Sequence, residues 1–214
     1  MTPCTTSSEP CHASLTRRCT VARSSAPARR TRRALIPSSN PHTRGMTIEF
    51  PSPTRPAAGT ADVFSGYLTY FRETLLAKVS ALPESERRTS RLPSGWTPVE
   101  LVKHLRYVEL RWIEWGFEGV AFDDPWGDRN VDRWYVPPGE SFAELAEALR
   151  TQGAHTTEVI AKHELSAVGK PGPRWDGAEP PTLERILFHL VQEYARHVGH
   201  VDIVVELSVG AVGE

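Results

Sequence analysis

An all-α fold, a four-helix bundle preceded by a disordered N-terminal tail, is the class this sequence predicts, and three observations lead to it. From about residue 60, apolar residues recur at helical spacing with almost no two-residue alternation, and Pro/Gly clusters mark the interruptions. Four such segments of about 20 residues each carry one apolar stripe, and packing the stripes together is the simplest way to bury them. Residues 1–45 show none of this patterning and are rich in Ser, Thr, Pro and Arg. They lack the apolar surface needed to offset the entropy of ordering a chain.

The first helix is expected over about 61–82, with Val63, Tyr67, Tyr70, Leu75 and Val79 near one side, stopping before Pro83. The second opens at "TPVE": Thr97 as N-cap, Pro98 at the first helical position and Glu100 at the third form a capping box. Its stripe is Leu101, His104, Leu105, Val108, Trp112 and Trp115, and it ends near Gly116 to Gly119. The third repeats the box with Ser141 and Glu144, carries Leu145, Leu149, Val159 and Ile160, and fades near Leu165. The fourth begins after Pro180 and Pro181 at Thr182 and continues to about Leu207. The connections exceed the usual bundle length, and loops beyond about 12 to 15 residues are usually functional or disordered. The segment "VAFDDPWGDRNVDRWYVPPGE" reads either as a lid over a pocket or as a crossover that lays its aromatic residues on the bundle.

The formal net charge of -1 conceals two segments of opposite sign. Residues 1–45 hold eight arginines, no lysine and one acid, Glu9; residues 46–214 are net acidic. All three cysteines, Cys4, Cys11 and Cys19, lie in the tail, so the bundle has no cysteine nucleophile and no cysteine-based metal site. Met46 stands where the composition changes and is a candidate start of translation; a flexible tail, an organelle transit peptide and a nucleic-acid-binding arm are the other readings. A secretory signal is disfavoured, because no apolar h-region follows the arginines. No apolar run approaches the roughly 20 residues of a membrane span. A cytoplasmic protein is expected, acting on a small molecule rather than on nucleic acid or membrane, with a homodimer as a candidate assembly.

The fourth helix poses a question. In "FHLVQEYARHVGHVD" the stripe Ile186, Leu190, Glu193, His197 and Val204 has two ionisable members, and unpaired charge in an apolar interior costs several kcal/mol. His104 occupies a comparable position on the second helix, roughly 10 Å from its start, against roughly 15 Å from the end of the fourth helix for His197. If the two helices are antiparallel, these residues come approximately level. His104, Glu193 and His197 would then form a 2-His-1-carboxylate set with coordination positions left open. Each has an alternative: His104 as a hydrogen-bonded core histidine, Glu193 as the partner of Arg106. His189 and His200 could replace His197 or orient a ligand, while His155 and His163 are expected on the surface.

"LVKHL" in a second helix, followed far downstream by "HLVQEYARHVGHVD", resembles the DinB-like superfamily of metalloenzymes, including the mycothiol-dependent maleylpyruvate isomerase type. The resemblance covers most of residues 60–207. It implies a four-helix bundle of up-down-down-up topology, with one metal ligand from the second helix, matching His104, and two from the fourth, matching Glu193 and His197. Glutamate at the first fourth-helix position is the pattern of the mycothiol-dependent type; many other members have histidine there. The implied cofactors are a divalent metal, zinc or nickel, and a small thiol such as mycothiol. The implied function is a metal-dependent S-transferase or isomerase that uses this thiol on a small electrophile. In this chain the long loop with Asp123, Trp126, Arg129, Arg133 and Trp134 is a candidate to close over thiol and substrate. The alternative is a non-catalytic DinB-like metal-binding or interaction module. No catalytic residue beyond the ligands is assigned.

Overall fold

The computed structural model describes residues 49–211, so the tail expected over 1–45 and the candidate start at Met46 lie outside the described residues. Four long helices dominate: α1 Thr60–Ala81, α3 Pro98–Trp112, α4 Phe142–Lys162 and α5 Leu183–Val209, with the single turn α2, Glu84–Arg87, in the first connection. Both capping boxes form: Thr97 and Ser141 accept from the backbone N–H of Glu100 and Glu144, and each glutamate returns a bond to the cap. Thr182 precedes α5 as expected but makes no side-chain cap. The N–H groups of Leu183 and Glu184 instead donate to the carbonyls of Ala167 and Leu165, tying the start of α5 to the preceding loop. α5 ends at Gly210, whose φ of 70° is the left-handed cap that glycine adopts without strain.

Contacts between helices fix their directions. Along α1 and α5, Arg72 meets Tyr194 and Lys78 meets Asp202, so these two run parallel. Across α3 and α5 the order reverses: His104 faces His197, Glu109 faces Tyr194 and Trp112 faces His189. Lys103 pairs with Glu140 just before α4, and Glu109 bonds Thr156 farther along it, so α3 and α4 are parallel. This is the up-down-down-up order.

Parallel neighbours need a crossover that returns the length of the bundle. α3 first runs on into a π-helical turn, Ile113–Phe117. The crossover then contains a two-stranded hairpin, β1 Arg129–Asn130 and β2 Arg133–Trp134, paired antiparallel. Two-residue strands leave no alternation to read, and the sequence did not predict them. At the tip, Val131 is 88% exposed with φ 57°, an uncommon conformation for a β-branched residue.

The core is aliphatic, with Leu75, Val79, Leu101, Leu105, Leu145, Leu149, Ile186 and Leu190 all fully enclosed. The expected stripe of α1 is correct only in its second half. Val63 is exposed, and the buried side is Leu68, Arg72, Leu75, Leu76 and Val79. Tyr67 and Tyr70 instead make edge-on contacts with Phe50 from the segment ahead of the helix, and that separate aromatic cluster explains their spacing. A polar cluster interrupts the core: Glu109 accepts from Arg72 Nε and Nη2 at 3.1 and 2.9 Å and from the hydroxyls of Thr156 and Tyr194. Gly153 makes room for it, since a Cβ there would lie 2.1 Å from Arg72 Cζ. Among the described residues no helix is long and apolar enough to cross a membrane.

Candidate metal centre

The antiparallel pairing of α3 and α5 brings His104, Glu193 and His197 together. One donor atom from each lies within 4.8 Å of the others, so the group could hold a metal ion. Glu193 and His197 share a face one helical turn apart, with His197 Nε2 3.2 Å from Glu193 Oε2. Both histidines are buried, whereas Glu193 is half-buried, on the flank of the interface rather than at the centre expected for it. Tyr194 takes the central position. Arg106 lies over the Tyr107 ring; among the described residues Glu193 pairs only with His189, at 3.7 Å, and His197.

The two ring nitrogens of His104 are already sorted. His104 Nδ1 is 3.0 Å from Asp128 Oδ2, and Asp128, fully enclosed, is gripped by Arg111 through bonds of 2.7 and 3.2 Å. Since the ionised carboxylate only accepts, Nδ1 carries the proton and Nε2 keeps its lone pair. His197 Nδ1 is 3.4 Å from His200 Nδ1, and its Nε2 faces Glu193 Oε2 at 3.2 Å. The Trp134 ring stacks on His104 at 4.1 Å and meets His197 edge-on at 5.6 Å, roofing the group from the hairpin. Next to it a cleft of about 200 Å³ is lined by Ser94, Trp96, Glu100, Asp132, Arg133 and Trp134.

Charge in this region follows the contacts. Burial pushes His104 below the usual histidine value despite the bond to Asp128, so it stays neutral. Contact with His197 holds the Glu193 carboxyl below its ordinary range against the opposing effect of burial. Burial would raise Asp128, but the bonds from His104 and Arg111 outweigh it and keep the group ionised. Two imidazoles and one carboxylate suit a divalent cation of borderline softness.

Sequence reasoning missed Asp128 and Arg111. The loop 120–140 holds several acids, and nothing local distinguishes the one that returns to α3. The loop residue Trp134 does reach the group, while Trp126 lies under the Arg111 and Arg129 guanidinium groups at 4.3 and 4.7 Å. His163 is exposed as expected. His155 is half-buried and bonded to Glu118 at 2.6 Å, because the π-helical turn carries Glu118 over α4.

A family model described as mycothiol-S-transferase matches residues 63–210. Among curated proteins none matches this chain. A solved structure described as the conserved protein of a locus from Enterococcus faecalis is 17% identical, with 72% of this chain and 100% of that chain covered and a TM-score of 0.49. The family match takes in nearly all of α1, the whole of α3, α4 and α5, and every residue of the donor group, and the chain therefore belongs to the mycothiol S-transferase family, a DinB-like family.

Proposed function

We propose that this protein is a metal-dependent enzyme that presents a low-molecular-weight thiol of the mycothiol kind to a small electrophile, for S-transfer or isomerisation. The observation that carries the reading is the convergence of donor atoms from His104, Glu193 and His197, in a bundle with no cysteine of its own. The donor set fits zinc or nickel, and a divalent ion held there would make a small thiol more acidic, raising the fraction of nucleophilic thiolate over that of a free thiol with pKa about 8.5.

The chain's own residues do the positioning. Asp128 holds the Nδ1 proton of His104 and thereby the ring's orientation, and Arg111 holds Asp128. Glu193 remains a carboxylate at neutral pH, ready to balance positive charge. Trp134 covers one side of the histidines and limits water there, and the adjoining cleft gives a small molecule access at that edge. Transfer and isomerisation share the first step, attack of the thiolate on an electrophilic carbon; they differ in whether the new carbon–sulfur bond is kept or later broken.

The test is elemental analysis of protein without a histidine tag, followed by spectroscopy of a cobalt-substituted sample titrated with mycothiol. One divalent ion per chain and a spectral change on adding thiol support the enzyme reading. A metal that binds with no response to mycothiol, bacillithiol or glutathione replaces it with a non-catalytic metal-binding module.

A further inference from the structure

We propose that Arg174, framed by Trp112, Trp115 and Trp175, is a binding subsite for the carboxylate of a small organic anion beside the His104–Glu193–His197 group. Arg174 lies in the connection between α4 and α5, with its Cζ 4.6 Å from the Trp112 ring, 5.5 Å from Trp115 and 5.4 Å from Trp175. The frame is fixed: Trp175 donates its indole N–H to the carbonyls of Gly116 and Lys170 at 3.1 and 3.2 Å.

The guanidinium is conspicuous for what it lacks. Its Nε–H is buried with no acceptor, and no acid acts on its charge among the described residues; the nearby charge is the cation Arg111. The two arginines enclosed elsewhere each have a carboxylate, Glu109 for Arg72 and Asp128 for Arg111. Burial and then Arg111 push the Arg174 pKa down, the sign of a cation held at a cost. Cation–π contacts offset part of that cost, and an arriving anion would remove more of it. A lone planar guanidinium between aromatic walls matches a carboxylate, which it can grip with paired N–H bonds. A phosphate would call for further cations, and Arg111 is already committed to Asp128.

The subsite adjoins the donor group. The Trp112 ring lies 4.4 Å from His189, and His189 Nε2 lies 3.7 Å from Glu193 Oε1. A small molecule anchored here by its carboxylate would have its other end close to Glu193. The binding stands on these contacts alone; only the placing of the carboxylate on a reactant, electrophile or thiol, rests on the proposed function.

The experiment uses metal-free full-length protein, so it depends on neither metal nor turnover. Three of the six tryptophans frame the guanidinium, so intrinsic fluorescence reports binding. Succinate and its uncharged diamide, succinamide, are titrated at constant ionic strength. Succinate should half-saturate at a concentration at least tenfold lower than succinamide, Arg174→Gln should abolish the difference, and Arg174→Lys should keep a reduced one. Equal responses to the two probes in the unaltered protein overturn the proposal, as does a succinate preference that survives Arg174→Gln. In metal-loaded protein, a preference for N-acetylcysteine over its amide assigns the carboxylate to the thiol, and a preference for fumarate over fumaramide assigns it to the electrophile. Preference in neither pair overturns the assignment to a reactant, while the succinate result still decides the subsite.

Discussion

Two groups of ionisable side chains share the α3–α5 interface, His104 with its partners and Glu109 with its own, about 7.5 Å apart along α3 at 1.5 Å per residue. Around Glu109 acceptors and donors balance, with the carboxylate receiving bonds from Arg72, Thr156 and Tyr194. Around His104 the balance is lacking: two imidazole nitrogens and a carboxylate converge, and no Lys or Arg pairs with Glu193 among the described residues. Burial of polar groups is common to both. What separates a structural cluster from a candidate site is whether the protein supplies the complementary charge itself.

The comparison is broken most severely at Glu109. Glu109→Gln leaves Arg72 enclosed without its counter-charge and should cost about 3–5 kcal/mol in urea unfolding. A cost below about 1 kcal/mol would mean that water already reaches the cluster. At the other group the effect should fall on the ion rather than the fold. His104→Ala or His197→Ala should lower metal affinity by more than about 100-fold, roughly 2.8 kcal/mol. The metal-free fold should lose less than it does at Glu109, and His155→Ala should leave metal content unchanged. Elemental analysis beside urea curves checks all four variants.

Asp128→Asn sharpens the contrast, because it alters the partner that orients His104 and leaves the three donors in place, while removing the counter-charge of Arg111. A loss of about 10–100-fold in metal affinity is expected in a competition titration with a chelator. Unchanged affinity would show that Asp128 serves Arg111 alone. The smallest effect is that of pH on metal-free protein. Burial depresses the imidazoles of His104, His189 and His200, so below about pH 6.5 the unfolded chain takes up protons that the folded chain refuses. The melting temperature should therefore fall as pH drops below about 6.5, whereas Asp128 and Glu193, both depressed, stay ionised through that range. A flat melting temperature between pH 7.5 and 5.5 counts against neutral burial.

The helix starts at Thr97 and Ser141 were legible because a capping box is local chemistry written within four residues. The donor group was legible for a related reason: polar residues on a stripe that should be apolar stand out against the period, and depth along two helices sets their level. Glu109 escaped notice because "YVELRW" reads as an ordinary charged helix face, and its enclosure is decided by residues from three other helices. Asp128 escaped because it reaches His104 through a crossover whose path no periodicity records. The rotation of α1 was misread where Phe50, upstream of the helix, gives Tyr67 and Tyr70 a partner outside the bundle.

The Glu109 cluster draws one side chain from each long helix: Arg72 from α1, Glu109 from α3, Thr156 from α4 and Tyr194 from α5. Every bond runs to Glu109, so departure of α3 breaks them all, departure of α1 strands a charge, and departure of α4 or α5 lets water into the middle of the core. Such an arrangement suppresses partial opening, and the slowest-exchanging amides of all four helices should share one free energy of protection under native conditions. With the bundle latched at its centre, local opening should be confined to the connections, and these carry Trp96 and Trp134 beside the candidate site.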